Sequence, residues 1–234
     1  DVYKRQPLWM RYCAISPDGT SIAFTYKGDI YTVPVNGGKA AQITTNAAHD
    51  THPVWSPDGK QIAFASDRMG SMDIFVVDRE GGIPKRLTTH SGNETPVAFK
   101  DADHILFLAN VMPSAEDAQF PSGQFQQVYE VSTTGDRPVM FSSMPMEDIS
   151  INKTGNALLY HDKKGYEDPW RKHHTSSITR DIWLCSLDGK RSYRKLTSFN
   201  GEDRTPVWAS DGKSFYYLSE EKGSFNVCLL YTSP

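Results

Sequence analysis

The chain is predicted to be all-β, a β-propeller of four-stranded blades, and two observations in its 234 residues carry that prediction. A strand, tight turn and strand recur five times along the chain. Four of the copies are then followed by two more strand-like runs in the same order, parted by a second tight turn, and the fifth by one. Self-similar four-strand units at a period of about 40 residues are how propeller blades look in sequence, whereas a sandwich shows turn signals without the repeat.

The clearest copy is Val54-Trp55-Ser56-Pro57-Asp58-Gly59-Lys60-Gln61-Ile62-Ala63-Phe64-Ala65. Pro57 pre-sets φ for the turn, Asp58 tolerates the next position, and Gly59 supplies the left-handed conformation that closes it. Ile62 to Ala65 is a short apolar run bounded by turn residues, as a buried strand should be. The equivalent residues Ile15, Trp55, Phe99, Ile151 and Trp208 mark the blades, at spacings of 40, 44, 52 and 57 residues. Third strands follow as Asp29 to Val33, Asp73 to Val77, Val128 to Val131 and Asp181 to Cys185. Fourth strands follow as Gln42-Ile43-Thr44, Arg86-Leu87-Thr88, Val139-Met140-Phe141 and Lys195-Leu196-Thr197. The fifth blade reaches its third strand at Phe225-Asn226-Val227. Four complete blades and most of a fifth point to an incomplete fragment of a six- or seven-bladed propeller, because closure pairs the last blade with the first.

Residues 7–227 are assigned to the propeller. Asp1 to Gln6 and Cys228 to Pro234 look foreign to the repeat and are set aside as non-native tails. Net charge is −3, with 25 basic and 28 acidic residues, which gives no electrostatic case for nucleic acid. No apolar run approaches the roughly 18 residues of a spanning helix, so no membrane span is expected. Cys13, Cys185 and Cys228 do not form a disulfide framework, and Cys185 reads as a small buried hydrophobe.

Antiparallel blades put the short strand 1–2 and 3–4 turns on one face, and the strand 2–3 and inter-blade connections on the other. Both long insertions, Leu108 to Gln127 and His161 to Arg180, fall on the second face, where function is expected. The inter-blade acids Asp50, Glu94, Glu147, Asp148, Glu202 and Asp203 recur there. They read either as an acidic rim that biases which ligands enter or as residues that fix the start of each blade. Pro53, Pro96 and Pro206 nearby favour the second reading. Trp170, Arg171, Lys172 and His173, in the second insertion, are candidates for holding a peptide carboxylate, against solvated loop charge as the plain alternative. His161, His173 and His174 lack the ligand spacing of a zinc site, so no metal and no cofactor is expected. Asn93-Glu94-Thr95 and Asn152-Lys153-Thr154 match glycosylation sequons but read as turn residues. No nucleophile elbow, Walker loop or His-Glu-x-x-His occurs, so no catalytic residue is assigned.

Ser56-Pro57-Asp58-Gly59-Lys60 with Ile62-Ala63-Phe64, then Ser66-Asp67-Arg68 and Asp73-Ile74-Phe75-Val76, resembles the WD40-like repeat of TolB-type and tricorn-type propellers. Pro7 to Tyr12, Lys27 to Tyr31 and Asp168 to His174 resemble, more narrowly, the amino-terminal propeller of bacterial tricorn-like serine peptidases of the S41 class. That resemblance implies a non-catalytic domain that gates or channels peptides and docks the protease core. It implies a second propeller, a PDZ domain and a catalytic domain further along the parent chain, with peptides or unfolded polypeptide as partners. A homo-oligomer is compatible with it. The implied location is periplasmic or otherwise extracytoplasmic, with the cytoplasm as the alternative. Rival readings are a TolB-like periplasmic binding module and the propeller of a prolyl-oligopeptidase-type hydrolase.

Overall fold

The computed structural model describes residues 9–110, 125–165 and 178–232. Nineteen strands and, among the described residues, no helix make up the fold. The first sheet is β1 (Arg11–Ile15), β2 (Ser21–Tyr26), β3 (Asp29–Pro34) and β4 (Ala41–Gln42), in that order. The second is β5 (Asp50–Trp55), β6 (Gln61–Ser66), β7 (Asp73–Asp78) and β8 (Lys85–Arg86). The third is β9 (Glu94–Phe99), β10 (His104–Ala109), β11 (Gln127–Ser132) and β12 (Val139–Ser142). The fourth is β13 (Met146–Ile151), β14 (Ala157–Asp162), β15 (Ile182–Ser186) and β16 (Ser192–Lys195). The fifth has three strands, β17 (Asp203–Trp208), β18 (Ser214–Ser219) and β19 (Asn226–Tyr231). These are the predicted blades. Residues 228–231, set aside as tail on sequence, continue β19 in unbroken register from Ser219↔Asn226 to Ser214↔Tyr231.

The chain forms two compact units, Asp1–Val111 with Tyr129–Phe141, and Met112–Val128 with Ser142–Pro234. In the first unit, Ala23, Ile30 and Ile43 of blade 1 pack against Trp55, Ile62, Phe64, Phe75 and Val77 of blade 2. The opposite face of blade 2, with Ala63, Ile74, Val76 and Leu87, packs on Phe99, Ile105, Phe107, Tyr129 and Val131 of blade 3. In the second unit, Leu159, Ile182, Leu184 and Leu196 of blade 4 meet Trp208, Phe215, Tyr217 and Leu230 of blade 5. Because a blade such as the second is buried on both faces, its strands read as continuous apolar runs rather than as alternation. Each fully buried Ile or Phe in these junctions contributes about 1.5–3 kcal/mol.

The turns form for the reasons the sequence suggests. Gly19, Gly59, Gly155 and Gly212 sit at φ 71, 69, 72 and 63°, where a side chain would be strained. The amide of Gly59 donates to the Ser56 carbonyl at 2.9 Å, while the Asp58 carboxylate accepts from the Ser56 hydroxyl and the Lys60 amide. The third copy lacks the glycine. There Asp101 accepts from the Asp103 amide and pairs with His104 at 2.8 Å.

Candidate functional site

Pairing of Asp50 with Ser66, and of Ser66 with Asp73, puts the start of strand 1, the end of strand 2 and the start of strand 3 on one edge of a blade. This is the connector face. The first strands of neighbouring blades pack on one another, β1 with β5, β5 with β9, and β13 with β17. All five first strands carry the same irregularity, a register shift in mid-strand. At four of these shifts, all but that of β9, one non-glycine residue is left-handed: Tyr12, His52, Asp148 and Thr205, at φ 54, 52, 49 and 54°. Such bulges re-aim a side chain at a backbone cost of roughly 1–2 kcal/mol each. The bulge residues of adjacent blades touch. The Tyr12 and His52 rings lie 3.6 Å apart between centroids, and the Thr205 hydroxyl donates to Asp148 at 2.8 Å.

Four of the six inter-blade acids lie inside the junctions, while Glu147 is half-buried and Asp148 is exposed. Asp50, Glu94, Asp203 and Glu202 are 0, 1, 1 and 3% exposed, so they do not form a solvent-facing rim. Asp50 is gripped through both oxygens by the Arg68 guanidinium at 2.8 and 2.9 Å, and that guanidinium lies 4.6 Å from the Phe75 ring centre. Glu94 accepts the Thr88 hydroxyl. Burial pushes its carboxyl up to about 7, and the neighbouring Asp73 adds to the rise. Asp73 itself is raised by burial, against the pull of Arg86 at 2.7 Å. Burial likewise raises Asp29 and Asp203.

One latch joins blades repeatedly. The amides of Asp50, Glu94 and Asp203 donate to the carbonyls of Gly28, Met72 and Arg180, the residues before each third strand, at 2.7, 2.8 and 3.0 Å. Beside it, Thr44, Thr88 and Thr197 accept the buried amides of Ile30, Ile74 and Ile182 at 2.9, 2.9 and 3.0 Å. Sequence reasoning passed over these threonines. Their signal was present, since each follows Ile43, Leu87 or Leu196 just past a fourth strand. The sequons are engaged in the same way. Asn93 Oδ1 accepts the Met72 amide, and Asn152 Oδ1 accepts the amides of Asn156 and Ala157.

Trp170, Arg171, Lys172 and His173 lie outside the described residues, but the stems of their insertion are described. Glu147, on β13, takes Lys163 at 2.8 Å, His161 Nε2 at 3.2 Å and Arg180 at 3.5 Å. The Thr205 amide donates to His161 Nδ1 at 3.2 Å, which leaves the proton on Nε2 facing Glu147. The His161 and Lys163 hydrogen bonds hold the Glu147 carboxyl down at about 2 despite its burial. Arg180 also reaches Glu202 at 2.7 Å. The stems are therefore bound to residues at the starts of first strands.

In the first unit a cavity of about 500 Å3 opens beside the β1 bulge, and it is lined by Trp9, Arg11, Tyr12, Lys27, His49 and Asp67 among others. Arg11 stacks over Trp9 at 5.1 Å, and the His49 amide donates to Asp67 at 2.7 Å. Among the described residues no three His, Cys, Asp or Glu side chains are grouped to hold a metal ion.

Repeated blades joined by first-strand contacts and a recurring backbone latch define a β-propeller protein. The family model for the tricorn protease N-terminal beta propeller domain matches residues 7–233, and the chain belongs to that family. Tricorn protease homolog 1 of Streptomyces coelicolor is 25% identical over 218 residues, covering 93% of this chain and 19% of the relative. The chain thus spans about a fifth of that protein's length. An uncharacterized protein of Agrobacterium fabrum, Atu1656, is 34% identical over 216 residues, covering 87% of this chain and 68% of the relative. A crystal structure of the tricorn protease superposes with a TM-score of 0.71 at 18% identity, over 97% of this chain and 22% of that one, a likeness of fold.

Proposed function

We propose that this chain is the non-catalytic propeller of a tricorn-like serine peptidase of the S41 class, which gates or channels peptides and docks the protease core outside the cytoplasm. The observation that carries this reading, beside the family match, is the anchoring of the second insertion. His161, Lys163 and Arg180 tie both its stems to Glu147 and Glu202, at the starts of first strands. In propellers the blades surround a central channel. A segment whose stems are tied to the starts of first strands is well sited to meet what enters that channel. Assaying the full gene product for peptide cleavage tests the proposal. Cleavage is expected, and an inactive product that carries the downstream domains would overturn it.

One observation favours a second reading, a TolB-like binding module with no protease attached. This chain spans 68% of the Agrobacterium relative, which leaves only a third of that protein for anything else. The coding sequence downstream of Val227 separates the two readings. PDZ and peptidase regions belong to the first, a stop after the remaining blades to the second, and an α/β-hydrolase region to neither.

A further inference from the structure

Of the six non-glycine residues with positive φ among those described, four surround one place. Trp9, Tyr12 and Lys27, at φ 72, 54 and 51°, line the 500 Å3 cavity, and His52, at φ 52°, stacks on Tyr12. Left-handed non-glycine residues are costly and cluster at ligand clamps. The remaining two, Asp148 and Thr205, show that a left-handed bulge belongs to the fold. What the fold does not dictate is an aromatic side chain there.

The chemistry of the lining is specific. Trp9 and Tyr12 supply flat faces and are 75 and 43% exposed, so their rings are available to a ligand, while the His52 ring, 3.6 Å from that of Tyr12, holds the Tyr12 side chain in place. Burial, with His49 close by, keeps His52 below its usual range and so uncharged at neutral pH. Arg11 and Lys27 bring positive charge to the same wall, and Asp67, the acid among these residues, already accepts the His49 amide. An aromatic ring can lie against Tyr12 and Trp9 while a neighbouring negative charge meets Arg11 and Lys27.

We propose that this cavity is a side-chain subsite for an extended peptide that carries an aromatic residue next to an acidic one. The subsite rests on the peptide-handling reading above and adds a sequence preference to it. The ligand's ends play no part, because both contacts are to side chains.

The test uses peptides blocked by acetyl and amide groups, Ala-Phe-Asp-Ala, Ala-Phe-Asn-Ala and Ala-Leu-Asp-Ala, titrated against the chain by tryptophan fluorescence. The first should bind, and each of the others should bind at least about fivefold more weakly, the loss of one ring contact or one charge contact. His52→Gly and Trp9→Ala should each weaken the first peptide by a similar factor. His52→Gly should leave thermal stability unchanged or higher, because it relieves the left-handed backbone. Asp148→Gly, the same change in the second unit, should leave peptide binding unaltered. Equal affinity for the three peptides, or an undiminished affinity in His52→Gly and Trp9→Ala, would overturn the subsite while leaving peptide cleavage by the full gene product to judge the wider reading. Absence of binding by all three also overturns the subsite.

Discussion

Replacing Glu94 by glutamine should remove a pH dependence of stability that the wild-type chain carries. Glu94 is 1% exposed, and its carboxyl rises from 4.5 to about 7, chiefly because burial penalises the charged form. The raised value sets the sign. Between pH 4.5 and about 7 the folded chain keeps this proton while the unfolded chain has released it, so stability falls as pH rises through that window. Over the full window the loss is about 3 kcal/mol, at about 1.4 kcal/mol for each unit of displacement. Glutamine keeps an oxygen that can accept the Thr88 hydroxyl and carries no charge at any pH. Urea unfolding at half-unit steps from pH 4.5 to 8 gives the free energies for both proteins. Glu94→Gln minus wild type should be near zero at the acid end and grow by about 3 kcal/mol toward pH 8. Asp29 and Asp203, which burial also raises, titrate in both proteins and cancel in the difference, which then reports Glu94 with its neighbour Asp73. A difference that stays constant with pH would refute the reasoning.

Four further outcomes are expected. Arg68→Ala should cost about 3–5 kcal/mol in urea unfolding, because it strands the wholly buried Asp50 charge, and Arg68→Met with Asp50→Leu should recover most of that loss. Thr88→Val should cost about 1–3 kcal/mol by leaving the buried Ile74 amide without an acceptor, whereas Thr88→Ser should cost far less. Trp208→Phe removes the indole donor that reaches the Ser150 carbonyl at 3.0 Å, and it should lower stability by about 1 kcal/mol. Arg171→Ala with Lys172→Ala, made in the full gene product, should raise KM for peptides with a free carboxy terminus and not for amidated ones, as read from cleavage rates.

The blades were legible because their turns need particular residues. Asp58 and Gly59, with the matching pairs Asp18-Gly19 and Asp211-Gly212, announce a left-handed turn position whatever lies around them. The degenerate third copy was still found because Ile105-Leu106-Phe107 keeps its apolar run where glycine is missing, and Asp101 does the turn's work. The junction acids were legible as a recurring feature but not as buried ones. Sequence displays the charge of Asp50 but not Arg68, which comes from 18 residues further on to cover it. The bulges left little trace. Left-handed positions are anticipated from glycine, and more weakly from Asn, Asp or His, whereas Tyr12 and Thr205 carry no such mark, and all four residues are held there by the strands around them. The cavity beside Tyr12 was invisible for the same reason, since β1, the Lys27-Gly28 hairpin and the His49 connector meet only in the folded chain.

The stems of the second insertion have one more consequence. The Asp181 amide donates to the Asp162 carboxylate at 2.8 Å, the Asp162 amide donates to the Asp181 carbonyl at 3.2 Å, and Lys164 reaches the Thr179 carbonyl at 2.7 Å. These contacts close the base of the insertion within the blade itself. Chain added beyond that base then costs only closure entropy, about 0.6 kcal/mol for each doubling of length. Length and composition at the tip can drift widely among related proteins while the blade beneath keeps its register. Such a base separates what may vary from what must not.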